Sequence, residues 1–167
     1  MKLTRRHMIA SGIAGAAFAR PALASAPLEI GWDDLIPPGV PYAEIIGEGE
    51  LDEINDTWNP IFDANATKLN EALDGELIRM PGFIIPLEFA REGVTDFMLV
   101  PYVGACIHVP PPPPNQLVLA KTETPWPDET LWDPVWVVGT MRTKLQSTEL
   151  AETGYALDVT SMEVYEW

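Results

Sequence analysis

Proline sets the tightest limit on what this chain can fold into. It has 17 prolines in 167 residues, and each one removes a backbone donor, cannot continue a helix and is kept out of central ladder positions. Many of them therefore belong in turns, strand ends and extended connections, which suits a small barrel with long loops. The longest run, Pro110–Pro114, favours a polyproline II segment about 15 Å long at roughly 3.1 Å per residue.

The first segment reads as an export signal to be set aside from the fold. Lys2, Arg5 and Arg6 give a positive start, and Met8 to Ala19 is an apolar run rich in Ala and Gly. That run is too short to span a bilayer, which asks for about 20 apolar residues. Thr4-Arg5-Arg6-His7-Met8-Ile9 resembles the twin-arginine export motif, and Ala22-Leu23-Ala24 supplies the small residues of a cleavage site. No cysteine stands near that site to carry a lipid. The expectation is a soluble periplasmic protein with no stable membrane insertion after residues 1–24 are removed.

The mature chain is strongly acidic. Removal of Lys2, Arg5, Arg6 and Arg20 leaves six of 10 bases against 25 acids, a net charge of about −19 that repels phosphate backbones. Nucleic acid is thereby excluded as a partner. Cys106 is the only cysteine, so no internal disulfide can staple the domain. At this length one domain is expected.

Residues 25–59 form an acidic arm broken by Pro and Gly, in which continuous regular structure is not expected. Trp32, Leu35, Ile36, Tyr42 and Ile46 are too apolar for a bare linker, so the arm is expected to lie across the domain and bury them. Asn59-Pro60 looks like a helix start, and Ile61, Phe62, Leu69 and Leu73 give a loosely helical pattern closed by Gly75. Five β-rich runs follow: Glu76–Pro86, Asp96–Val103, Gln116–Lys121, Pro134–Lys144 and Tyr155–Glu166. Alternation puts Leu77, Arg79 and Pro81 on one face and Ile78 and Met80 on the other. The predicted fold is mainly β: residues 60–167 make one N-terminal helix and a five-stranded OB-like barrel.

The densest chemical signal is Gly104-Ala105-Cys106-Ile107-His108-Val109, running into the proline stretch. The only thiol and only imidazole of the mature chain stand two residues apart, and in an extended segment such residues share a face. Thiolate and imidazole are good zinc ligands, and copper(I) also accepts thiolate. A structural zinc site needs four ligands and a catalytic one three plus water, so other donors are required. Glu88 and Asp96 are the carboxylate candidates, Met98 and Met141 the thioethers. The plain alternative is that Cys106 is a small buried residue and His108 a hydrogen-bonded one. Thiol catalysis is a third possibility, with an imidazolium lowering the thiol pKa and Asn115 or Gln116 as orienter.

A second candidate surface is the stiff proline run itself. Pro110, Pro111, Pro112, Pro113 and Pro114, with Asn115, Gln116 and Trp126, could present a low-entropy face to an envelope protein. A rigid connection between strands explains the same run. Trp126, Trp132 and Trp136 lie among Pro125, Pro127 and Pro134, a pattern equally suited to loop packing. Neither H-E-x-x-H, a P-loop nor G-x-S-x-G occurs, so the sequence favours a non-enzymatic role without deciding it.

Arg79-Met80-Pro81-Gly82-Phe83, Pro86-Leu87-Glu88, Leu99-Val100-Pro101-Tyr102 and Gly104 to Pro110 onward together resemble an uncharacterised bacterial periplasmic and lipoprotein family with a Cys-x-His motif before a proline run. The resemblance covers residues 60–167. It implies an OB-like barrel and, through an association with metal-homeostasis and ABC-transport functions, a metal-related role. The expected function is thus a periplasmic accessory that binds zinc or another transition metal through Cys106 and His108 beside a metal-handling or ABC-transport partner. The alternative is a metal-free binding module of the envelope. Changing both Arg5→Lys and Arg6→Lys is expected to hold the precursor in the cytoplasm; fractionation that still finds mature protein in the periplasm would refute the twin-arginine route.

Overall fold

Alternation, more than composition, decides which side chains this fold hides. The computed structural model describes residues 26–52, 57–103, 111–127, 131, 133–148 and 150–166. Within them lie β1 (Leu28–Glu29), β2 (Ile45–Asp52), β3 (Thr57–Phe62), β4 (Leu77–Ala90), β5 (Gly93–Val100), β6 (Val118–Trp126), β7 (Val135–Ser147) and β8 (Glu152–Val164). In β4, Ile78, Met80 and Ile84 are buried while Leu77, Arg79 and Pro81 remain partly exposed, as a period of two requires.

Five strands close a barrel. β4, β5, β6, β8 and β7 pair in that order and β7 returns to β4. Long β4 serves two neighbours: Leu77–Gly82 pairs with β7, and Phe83–Ala90 with β5. β6 and β8 run parallel, from Val118 opposite Tyr155 to Thr122 opposite Val159, and the other ring pairs are antiparallel. This mixed five-stranded ring is the expected OB-like barrel. Closure removes the free edges that an open sheet would present. Its interior is filled by residues such as Ile78, Met80, Phe97, Val118, Val137 and Leu157. At the turn between β4 and β5, Gly93 has φ +139° and a Cβ there would strike the Trp126 carbonyl, so only glycine fits.

The N-terminal helix expected from Pro60 onward is not formed. Thr57–Phe62 is a strand paired with β2, and the stretch after it makes only a three-residue 3-10 turn, Glu71–Leu73. Local hydrogen bonds explain the difference. Asp63 accepts from the Asn65 N–H and Asn70 accepts from the Ala72 N–H, turn geometries that compete with helix. Pro60 is tolerated because β3 lies in a two-stranded sheet with a free edge. The apolar spacing was misleading too, since Ile61 is 55% exposed.

The arm does lie across the barrel, though only part of it is buried. β1 pairs parallel with β4, a 3-10 turn at Trp32–Leu35 follows, and Leu35 is wholly buried in the core, with Trp32 packed against it. Tyr42 and Ile46 remain exposed. Gly82 makes room for the docking: a Cβ there would come within 2.8 Å of Leu99 and 3.0 Å of Trp32. Arg79 clasps the outside, donating to Glu29 (2.8 Å) and Glu163 (2.7 Å) while lying 3.9 Å over the Trp136 ring.

Tyr155 ties three segments together. Its ring is fully buried, and its hydroxyl donates to the Leu35 carbonyl while accepting from the Asn70 N–H. Burial pushes the phenol up to about 12; the Asn70 hydrogen bond works against that rise and Glu71 adds to it. A phenol whose pKa is higher folded than unfolded stabilises the fold fully below its ordinary value of 10.0 and loses that contribution as pH climbs toward 12. Tyr155→Phe leaves two backbone groups without their partner and is expected to cost about 2 kcal/mol at neutral pH. It should also flatten the loss of stability between pH 10 and 12. Urea unfolding at several pH values checks both, and an unchanged midpoint would contradict them.

Candidate functional site

The connection between β5 and β6 carries the Cys-x-His pair, so its two roots matter most. Cys106, His108 and Pro110 lie outside the described residues. The first root is firm: Met98 and Val100 at the end of β5 pack with Leu117 in a second buried cluster, against which Phe83, Ile85, Tyr102, Leu150 and Ala151 lie. Alternation explains why a second cluster exists, since Phe97 and Leu99 belong to the barrel core and Met98 and Val100 to the other face.

The second root is held by the proline run and the two polar residues after it. Pro112 and Pro113 are buried, Pro111 and Pro114 partly so. Pro114 opens a 3-10 turn, Pro114–Gln116, a position where its missing N–H costs nothing. Asn115 and Gln116 are almost wholly buried. Asn115 Nδ2 donates to the carbonyls of Asn65 (3.0 Å) and Lys68 (3.2 Å), and its N–H to Ala66 (3.0 Å). Gln116 Nε2 donates to the carbonyls of Trp32 and Asn115, both at 3.0 Å. These amides bind the loop root to the arm and to the β3–β4 connection.

The other candidate residues fall elsewhere. Glu88 is exposed on β4 and faces Asp96 across the β4–β5 ladder. Asp96 accepts from Lys121 Nζ at 3.0 Å, and the Lys121 ammonium is raised chiefly by that hydrogen bond, then by the charges of Asp96 and Glu88. Asp96 precedes Val100 by four strand residues, roughly 13 Å at 3.3 Å per residue. Met98 and Met141 are fully buried, in the second cluster and the barrel core respectively. Trp126 packs against the barrel core, its buried Nε1 without a hydrogen-bond partner among the described residues. Trp132 lies outside those residues. Among the described residues no group of three or more His, Cys, Asp and Glu is placed to hold a metal, and no helix is long and apolar enough to cross a membrane.

One feature of the arm was not singled out as a site by the sequence patterns. Asp33, Ile36, Pro37, Pro38, Gly39, Val40 and Tyr42 line an open cleft of about 330 Å³. The Tyr42 phenol is raised first by burial, then by Tyr102 and by Asp33. The turn signal Pro37-Pro38-Gly39 between acidic and aromatic residues was the available clue. Asp33 gives the cleft an anionic oxygen, a hard donor suited to a cation.

Comparison with curated proteins gives no match. Among solved structures, a DUF3299 family protein from Pseudomonas aeruginosa PAO1 is similar at 38% identity and a TM-score of 0.70, over 86% of this chain and 99% of that one. The family described as "Protein of unknown function (DUF3299)" matches residues 32–164, from the first turn of the docked arm to the end of β8. By the extent of that match, the chain belongs to the DUF3299 family.

Proposed function

We propose that this is an exported envelope accessory protein that holds a transition metal, zinc foremost, through Cys106 and His108, in the service of metal homeostasis or of an envelope transporter. One observation carries this: the mature chain's sole thiol and sole imidazole share a loop whose two roots are fixed, at Val100–Tyr102 by apolar packing and at Pro112–Gln116 by burial and hydrogen bonds. Fixed roots reduce the ordering cost of bringing ligands together. Two donors do not complete a zinc site. The remaining donors would come from another side chain, from water or from a second chain. Asp96 could join only by giving up its pair with Lys121, and Glu88 stands opposite it on the same ladder.

Capture of an envelope protein by the proline run and Trp126 draws less support. Pro112, Pro113, Asn115 and Gln116 are buried, and the side-chain N–H groups of Asn115 and Gln116 are spent on the protein's own backbone.

The test is metal content of the purified mature chain after incubation with zinc and removal of free ion. Wild type is expected to retain about one zinc per chain, and Cys106→Ser or His108→Ala to retain little while unfolding at the wild-type temperature of the metal-free protein. A wild-type chain that retains none, or a Cys106→Ser chain that retains as much, would end the proposal.

A further inference from the structure

The hairpin of β2 and β3 carries exposed apolar side chains that the rest of the described fold does not bury. None of its described residues belongs to either buried cluster or is among those packed against one. Isolated two-stranded hairpins are marginal in water, so one that keeps an apolar face invites a partner.

The register shows that face. Residues directly opposite share a side of the sheet, and Ile45 stands opposite Phe62 while Leu51 stands opposite Trp58. Pro60 lies between Trp58 and Phe62 at the same period of two. Five apolar side chains therefore form one stripe, with Leu51 66% and Ile45 40% exposed and Trp58, Pro60 and Phe62 half-buried, while Ile61 stands exposed on the opposite side. Trp58 Nε1 donates to the Glu48 carbonyl across the hairpin, which holds the indole in one orientation before anything binds. A preset aromatic ring in an apolar patch is the usual anchor of a protein interface.

The edges of the hairpin argue against a partner that adds a strand. β2 breaks register between Ile45 and Gly47 and again between Gly47 and Glu50, and Pro60 deprives β3 of a donor. Bulges and prolines of this kind keep other strands off. The face is what remains available.

Charge selects the occupant. From residue 26 to residue 67 there are ten acidic residues and no Lys or Arg. A second copy of this chain would bring the same negative field to the contact, and anionic lipid would be repelled likewise. We infer that β2–β3 docks a basic protein partner, one that presents an apolar centre rimmed by Lys and Arg to the stripe of Ile45, Leu51, Trp58, Pro60 and Phe62. Apolar burial supplies the affinity and the opposite charge the rate and selectivity. The inference does not rest on the metal proposal and holds whether or not Cys106 binds an ion.

The test uses the isotope-labelled mature chain, titrated with a 12-residue peptide of alternating Leu and Lys and with its Ser–Lys counterpart of equal charge. Shift changes are expected to concentrate at 45–62, with the Leu–Lys peptide bound at least about tenfold more tightly, the equivalent of one buried apolar side chain. The double variant Ile45→Gln with Leu51→Gln should lose that advantage while the barrel melts at the wild-type temperature. Equal binding of both peptides would reduce the effect to unspecific charge attraction and overturn the inference. So would shifts centred elsewhere, concentration-dependent dimerisation abolished by the double variant, or adsorption to phosphatidylglycerol vesicles abolished by it.

Discussion

The fold turns on how one end of a small barrel is shut. A ring of five strands has two open ends, and at the end where β5 finishes and β6 and β8 begin, the arm is drawn in. Leu35 enters the core, a burial worth about 2 kcal/mol, and the Tyr155 hydroxyl meets the backbone groups of Leu35 and Asn70 that would otherwise be unpaired. An aromatic residue with a polar tip suits this place, since its ring fills apolar volume while its oxygen reaches the rim. The Gln116 amide then reaches the Trp32 carbonyl. Arm, barrel and the root of the Cys-x-His loop are joined by the same few contacts.

That junction gives the two functional proposals a common physical base. Asn115 donates to carbonyls of Asn65 and Lys68, which follow directly after the hairpin strand β3, and Gln116 donates to the arm before it. The segment that carries the acidic hairpin and the segment that carries the thiol are thus hydrogen-bonded to each other at their bases. Polar groups buried in this way are specific as well as stabilising, because each has one satisfactory arrangement and a cost for missing it.

Much of the barrel was legible in the sequence because closure enforces a period of two. Glu76–Pro86 and Pro134–Lys144 each start one residue before β4 and β7 and otherwise lie in them, and the inward facing of Ile78 and Met80 followed from alternation alone. The β2–β3 hairpin was not legible. Its glycines read as breakers and Pro60 as the start of a helix, and here the glycines sit in the bulged strand while proline sits in a strand with a free edge, two positions where such residues are allowed. The apparent helix failed because Asp63 and Asn70 spend their side chains on local turns. At the candidate site, spacing nominates Cys106 and His108 as a pair, and both lie outside the described residues. The burial of Asn115 and Gln116 could not be read from the sequence, since nothing local marks an amide as an internal tie when its acceptors lie some 50 or 84 residues away in sequence. The engagement of Asp96 by Lys121 is of the same kind, a cross-strand pairing that exists only once register is set.

The central claim is that arm and barrel form one cooperative unit at the end where the loop is rooted. Native-state hydrogen exchange tests it most directly. The amides of Ile30, Asn70 and Asn115 are hydrogen-bonded to Arg79, Tyr155 and Ala66, and the account predicts that they open with the same free energy as the β4–β7 ladder. If these three exchanged through low-energy local opening while the barrel amides stayed protected, the arm would be an accessory strap and the closure described here would be wrong.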